Sequence, residues 1–310
     1  MAGMTPIGLI GLGNMGLPMA RNLAERGFDI LAYDARAEAT LAATAAHASI
    51  KAADGLSAIA QSCRIVITML PDSKVVDRVV RGASAPDFDA TGLALHMAKR
   101  STENGGTRGI IIDMSSSFPI ATRALGEALA RHGIALVDAP VSGGVRKAID
   151  ATLSIMAGCD DDGVFAEIEA PLTAMGRIFR TGGLGSGHAT KALNNYLSAS
   201  SLIATAEAIV IGQRFGLEPK VMNEVFKAST GRSNTTDVKV EQFFIPETYT
   251  SGFALALLDK DVRMAREMAE QLGLAPDQLN NVSEHLARGL LALGPEVDHT
   301  AMHAFIKQKR

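Results

Sequence analysis

The spacing of hydrophobic positions changes character once along this chain. Up to about residue 181, short apolar runs alternate with stretches of helical spacing; beyond it, strand-like runs all but vanish. The runs Ile7–Ile10, Ile30–Tyr33, Ile65–Met69, Ile110–Asp113, Ala135–Asp138, Leu153–Ala157 and Ile178–Arg180 read as strands. Strands separated by helical segments predict a mostly parallel sheet with helices on both faces. Within this half, residues 96–108 are polar, glycine-containing and unpatterned, and predict a mobile surface insertion. After Gly182-Gly183-Leu184-Gly185 the sequence turns helical, beginning with a long apolar-rich stretch from Ala189 to Phe215 that stops at Gly216.

Gly11, Gly13 and Gly16 follow the first apolar run directly and open a segment, 14–24, that reads as a helix. In a strand-to-helix turn the first glycine permits the tight bend, the second lets the backbone approach a pyrophosphate, and the third lets the helix pack on the sheet. The helix start adds unpaired N–H groups and a positive dipole end. The second run ends at Asp34, about 20 residues beyond the glycines, where a carboxylate accepts hydrogen bonds from the adenosine ribose. The predicted fold class is therefore α/β: an N-terminal Rossmann-type dinucleotide-binding domain, residues 1–183, and a C-terminal all-helical domain, 184–310, joined by the long helix. The cleft between two such domains is the expected active site. A carboxylate at Asp34 repels a 2′-phosphate and favours NAD as cofactor over NADP; Arg36, two residues on, is a possible partner for that phosphate and keeps NADP open.

Composition narrows the function. A chain of 310 residues with 47% hydrophobic content has material for two cores. Its formal charge of −3, with dispersed Lys and Arg, offers no general attraction for nucleic acid or an anionic membrane. The two cysteines, Cys63 and Cys159, lie far apart and form neither a disulfide framework nor a metal-ligand cluster, so no metal is expected and both read as buried small hydrophobes. The apolar N-terminus lacks a basic leading segment and carries the nucleotide glycines, which argues against a signal peptide, and no stretch has membrane-spanning length without charges or glycines. A cytoplasmic location is the expectation.

Lys191 and Asn195 are four residues apart on the long predicted helix and so share one face. Hydride transfer from an alcohol needs a base for the hydroxyl proton, and a lysine can serve when its pKa falls from about 10.4 toward about 7–8. The Asn195 amide would hold the hydroxyl or the lysine. Taken alone, a helical lysine is ordinarily a solvated surface residue. At the end of another predicted strand, Asp138-Ala139-Pro140-Val141-Ser142-Gly143-Gly144 offers the Ser142 hydroxyl and the N–H groups of Gly143 and Gly144 as a carboxylate cradle. The same Ser-Gly-Gly also reads as a plain turn.

Together these residues resemble the β-hydroxyacid dehydrogenase family, which includes 3-hydroxyisobutyrate dehydrogenases and tartronate semialdehyde reductases. The segment from Gly11 to Ala20, with Gly13, Asn14, Met15 and Gly16, is similar to its cofactor fingerprint; Asp138–Gly144 is similar to its substrate motif; Gly185–Asn195 is similar to its catalytic motif; and Lys260-Asp261, after Phe253, is similar to its C-terminal motif. The resemblance implies Lys191 as general acid/base, Asn195 as substrate ligand, and Lys260 reaching the active site toward substrate and cofactor. It places Met69, Leu70 and Pro71 along the adenosine, Val75 over the adenine and Ser116 near the nicotinamide ribose. It implies a small anionic hydroxyacid or semialdehyde as substrate and a homodimer or homotetramer. Ser116 stands where the family often has threonine, Ala151 and Cys159 replace family glycines, and 96–108 looks longer than the family norm. Arg146 and Lys147 carry positive charge beside Ser-Gly-Gly, Lys147 being expected to face solvent. Two alternatives remain: imine reduction, whose enzymes generally lack the lysine, and a non-catalytic NAD-binding module.

Overall fold

The apolar runs of the N-terminal half become strands of a single nine-stranded sheet. They are β1 (Ile7–Ile10), β2 (Ile30–Tyr33), β3 (Ile50–Ala52), β4 (Ile65–Thr68), β5 (Gly109–Asp113), β6 (Ile134–Asp138), β7 (Val141–Ser142), β8 (Leu153–Gly158) and β9 (Gly176–Gly182) in the computed structural model, which describes residues 5–308. The spatial order is β3-β2-β1-β4-β5-β6-β8-β7, with β9 pairing β8. The strands from β3 to β6 pair in parallel, in the doubly wound order of dinucleotide-binding domains. β8 then runs antiparallel to β6 and β7.

Successive residues of a strand point to opposite faces, and here both faces are covered. Ile110 and Ile112 enter one apolar cluster while Ile111 enters the other. The first cluster is completed by α1 (Gly16–Glu25), α2 (Ala37–Ala46), α7 (Gly144–Ile149) and α8 (Asp162–Thr173), which contribute Met19, Leu23, Ala43, Ala148 and Phe165. The second is completed by α3 (Leu56–Ser62), α4 (Ser73–Arg81), α5 (Leu93–Glu103) and α6 (Pro119–Ala130), which contribute Ile59, Val80, Leu93, Met97 and Leu129. Cys63 and Cys159 are free and buried within these layers.

The expectation of a surface insertion over 96–108 is corrected by α5. That window opens inside the helix, past Leu93 and Ala94, which are buried with Met97 and anchor it to the sheet. Its polar residues form the outer face, and Gly105 and Gly106, at φ +70° and +83°, make the turn into β5. The short strands β3 and β7 escape a pattern-based reading because two or three residues carry no periodicity. α1 starts at Gly16, two residues later than the pattern suggests, since Asn14 and Met15 complete the turn.

The chain divides into two compact units between Lys191 and Ala192, inside α9 (Ser186–Phe215). α9 ends where Gly216 adopts φ +99°, the left-handed conformation that glycine supplies at helix ends. The second unit continues with α10 (Pro219–Ala228), a π-helix at Thr235–Phe244, α11 (Leu255–Gln271), α12 (Asp277–Leu293), a 3₁₀ turn at His299–Ala301 and α13 (Met302–Gln308). Its core contains Leu202, Ala206, Phe244, Leu258, Val262, Leu286 and Met302. No helix among the described residues is long and apolar enough to cross a membrane.

Ala151, between α7 and β8, sits at φ +54°. This region costs a residue with a Cβ about 1–2 kcal/mol. Ala151→Gly is therefore expected to raise stability by about 1 kcal/mol, read as a higher urea midpoint at unchanged slope; a lowered midpoint would contradict the strain.

Candidate active site

The glycine turn is built by exclusion. Gly11 takes φ +94°, and a Cβ there would stand 2.2 Å from the Met69 carbonyl oxygen; a Cβ on Gly16 would stand 1.9 Å from the Gly11 carbonyl oxygen. Both glycines are dictated by packing. Gly13 is different, because a Cβ there would meet nothing nearer than Arg36 Nη2 at 3.9 Å. The backbone is thus bared over open space at the start of α1, whose cap residue Met15 makes no side-chain hydrogen bond. Asn14 beside it is exposed. A helix start with Gly13 open to its surroundings and Asn14 exposed fits a pyrophosphate, since the first N–H groups of a helix have no partner within it.

Asp34 locks this turn to the end of β2. Its Oδ2 accepts the Leu12 N–H at 2.7 Å, and Oδ1 accepts the Arg36 N–H at 2.9 Å and faces Arg36 Nε at 3.4 Å. Burial by itself raises the Asp34 pKa, but the N–H groups of Arg36 and Leu12 and the Arg36 guanidinium outweigh it and hold the carboxyl below its ordinary range. Asp34 is therefore ionised at neutral pH, with lone pairs still available to a ribose hydroxyl.

The other predicted cofactor residues follow β4 and β5 on the same sheet edge. The Leu70 N–H donates to Ser115 Oγ at 2.9 Å, Pro71 is exposed, and Asp72 caps α4 through the Lys74 and Val75 N–H groups, leaving the Val75 side chain exposed on the first turn. Ser116 is half-buried in the loop after β5. Beneath it, Asp113 gathers Thr68 Oγ1 (2.9 Å), the Ser115 N–H (3.0 Å) and Ser117 Oγ (2.7 Å).

At the end of β6, Asp138 is wholly buried and caps α9 from outside the helix. Its Oδ1 accepts the Gly185 N–H and its Oδ2 the His188 N–H, each at 2.7 Å. Burial pushes its carboxyl above the usual range, opposed by His188 and these N–H groups. The His188 ring is clamped between Thr122 Oγ1 at 2.9 Å and the Ser115 carbonyl at 3.1 Å; a carbonyl only accepts, so Nε2 carries a proton. Downstream of this anchor on α9 come Lys191 and Asn195, 9% and 6% exposed. Ser142 is half-buried at the end of β7, while Gly143 and Gly144, at φ +134° and +69°, are exposed, as are Arg146 and Lys147.

In the second unit, Asn195 Nδ2 donates to Asp261 Oδ2 at 2.5 Å, and Lys260 Nζ lies 3.1 Å from Asp261 Oδ1. The buried Asp261 thus holds two predicted site residues at once. Sequence reading misses its role, together with those of Asp113, His188 and the Asp138 cap. For Asp113 and Asp138 the available signal is a carboxylate closing an apolar strand run; His188 and Asp261 lie among other polar residues and carry no such signal.

Two family models match successive segments of the chain: the NAD-binding domain of 6-phosphogluconate dehydrogenase over residues 6–183, and the NAD-binding region of NADP-dependent 3-hydroxyisobutyrate dehydrogenase over 185–306. The chain is 35% identical to 2-(hydroxymethyl)glutarate dehydrogenase of Eubacterium barkeri over 289 residues, covering 93% of this chain and 90% of that protein. It is 35% identical to NAD-dependent L-serine dehydrogenase of Pseudomonas aeruginosa over 301 residues, covering 94% of each. The structure of Mycobacterium tuberculosis 3-hydroxyisobutyrate dehydrogenase with L-serine superposes with a TM-score of 0.82 at 27% identity, covering 98% of this chain and all of that one.

The contrast among the glycines gives a test. Gly13→Ala is expected to keep the melting temperature and weaken NADH binding at least tenfold, measured by cofactor fluorescence. Gly16→Ala is expected to destabilise the fold by about 1–3 kcal/mol through overpacking. Unaltered NADH binding by Gly13→Ala would remove the open turn from the site.

Proposed function

The chain belongs to the β-hydroxyacid dehydrogenase family, and from that premise we propose that it passes a hydride between NAD and a small 3-hydroxy carboxylic acid or its semialdehyde, with Lys191 as proton shuttle. The observation that carries this reading is the buried pair Lys191 and Asn195 on a helix whose start is pinned to the ligand-binding edge of a sheet that bears a bared glycine turn. 3-Hydroxyisobutyrate, L-serine and 2-(hydroxymethyl)glutarate, named by its relatives, share one skeleton: a hydroxymethyl group on the carbon that bears the carboxylate. They differ only in the third substituent of that carbon. A 2-substituted 3-hydroxypropanoate is the substrate class this supports.

The bound nicotinamide would accept the hydride from the hydroxymethyl carbon. Lys191, entering as the uncharged amine, takes the hydroxyl proton as the carbonyl forms and returns it in the reverse direction. Asn195, oriented by Asp261, holds the reacting oxygen. Ser142 Oγ and the N–H groups of Gly143 and Gly144 hold the carboxylate. Lys260, tethered by Asp261, adds positive charge for an anionic substrate. The residues proposed for the cofactor are Gly11, Gly13, Asn14, Met15, Gly16, Asp34, Leu70, Pro71, Val75, Ser116 and Lys260.

The preference for NAD rests on Asp34. Its ionised carboxylate would repel a 2′-phosphate, and the Arg36 side chain that could attract one already faces that carboxylate. The ratio of kcat/KM for NAD over NADP is expected to exceed one and to shrink in Asp34→Ala; a native preference for NADP would overturn this assignment.

Turnover is tested with 3-hydroxyisobutyrate, glycerate, serine, 4-hydroxybutyrate and dihydroxypropanesulfonate, following NADH or NADPH absorbance. At least one acid is expected to react, and Lys191→Ala to lower kcat by about 10²–10⁴-fold. Near-normal turnover in that variant would refute the proton shuttle.

A further inference from the structure

Lys191, Asn195 and Ser198 recur at i, i+4 and i+7 along α9, so all three occupy one face of the helix. Against the last of them stands a second lysine. Lys239 projects from the π-helix at Thr235–Phe244, and its Nζ lies 3.4 Å from Ser198 Oγ. π-Helical turns are rare and are found frequently at functional sites. Lys239 is 8% exposed, as deeply buried as Lys191 and Asn195.

A buried ammonium is costly unless an anion compensates it. Lys260 has such a partner in Asp261, whereas among the described residues no carboxylate lies within ion-pair distance of Lys239. Asp298 acts on it from farther away, but that carboxylate is already engaged by Ser251 Oγ, the N–H groups of Gly252, Phe253 and Thr300, and Thr300 Oγ1. Neighbouring His299 is no substitute, since burial and the Lys239 charge hold its pKa down at about 4 and leave it neutral. Burial brings the Lys239 ammonium down to about 8, against the pull of Asp298, so it remains mostly charged at neutral pH. The residue is therefore a buried cation with one long hydrogen bond and no anion of its own.

We propose that Lys239 is a specificity-determining residue that binds an anionic group on the third substituent of the substrate, so that the enzyme prefers dianionic 3-hydroxy acids such as those with a second carboxylate. Ser198 is three residues beyond Asn195, about 4.5 Å of helix rise, which is the reach of a short methylene arm from a hydroxymethyl group held at Asn195. The assignment rests on the hydroxyacid reading above and adds the chemistry of the arm that the reading leaves open.

Three substrates separate charge from length: 2-(hydroxymethyl)glutarate, with a carboxyethyl arm; 2-(hydroxymethyl)pentanoate, with an uncharged arm of matching length; and 3-hydroxyisobutyrate, with a methyl. The wild-type enzyme is expected to show a KM at least tenfold lower for the glutarate than for the pentanoate at similar kcat. Lys239→Met should close that gap, and Lys239→Arg should retain most of it. Equal KM values in the wild type, or a gap that survives in a folded Lys239→Met protein, would overturn the proposal. Calorimetric titration of 2-(hydroxymethyl)glutarate is the readout independent of turnover: binding by wild type that Lys239→Met loses supports the anion site even if no acid is oxidised, an outcome that would instead refute the dehydrogenase reading. Equal binding by both proteins, or none by the wild type, overturns the anion site.

Discussion

A single buried carboxylate sets the geometry on which the candidate chemistry depends. Asp138 ends β6 with no exposure to solvent, and both of its oxygens are spent on backbone N–H groups at the start of α9. The positive end of the helix dipole compensates the buried charge, and the charge in turn satisfies donors that the helix leaves open. The His188 ring then fixes the rotation of the first turn, held by Thr122 and the Ser115 carbonyl. With both height and rotation set, the direction of Lys191, one turn on, follows from helix geometry. Asp113 has the matching role on the neighbouring strand, tying the loop after β5 to β4 through Thr68 and its own serines.

How legible these features are in the sequence depends on whether their causes are local. The glycine turn is read from a local pattern of apolar run, glycines and helix: Gly16 is barred from carrying a side chain by the Gly11 carbonyl within the same motif, although Gly11 itself is barred by the Met69 carbonyl after the neighbouring strand β4. Asp34 is equally readable, because a strand end fixes its distance from the turn. α5 escapes such a reading because its anchoring residues precede its polar stretch, and an exposed helical face of mixed charge resembles a loop when read alone. Asp138, His188 and Asp261 lie within readable motifs, but their bonds reach across 47, 50 and 66 residues, and no spacing rule announces such partners. Lys239 is the extreme case: flanked by Val238 and Val240 in a polar neighbourhood, it reads as a surface charge, and only the burial of the π-helix around it reveals otherwise.

The electrostatics of the two units differ in kind. Charges near the glycine turn are self-contained, with Asp34 and Arg36 answering each other beside exposed backbone. Those of the helical unit are graded, from the closely paired Lys260 and Asp261 to the hydrogen-bond-saturated Asp298 and the uncompensated Lys239. A turn that offers neutral N–H groups can accept one invariant ligand, whereas the uncompensated Lys239 of the second unit would, under the assignment proposed above, supply the component of recognition that varies with substrate.

The continuity of α9 has a further consequence for any exchange of segments among relatives. Lys191 closes the first compact unit and Asn195 lies just inside the second, with unbroken helix between them. Their alignment is thus a matter of residue count: inserting one residue there would swing everything downstream by about 100° and advance it by about 1.5 Å. A hybrid that joins this nucleotide domain to another helical domain must preserve that count if the four-residue spacing of Lys191 and Asn195, the residues proposed above as proton shuttle and amide partner, is to survive.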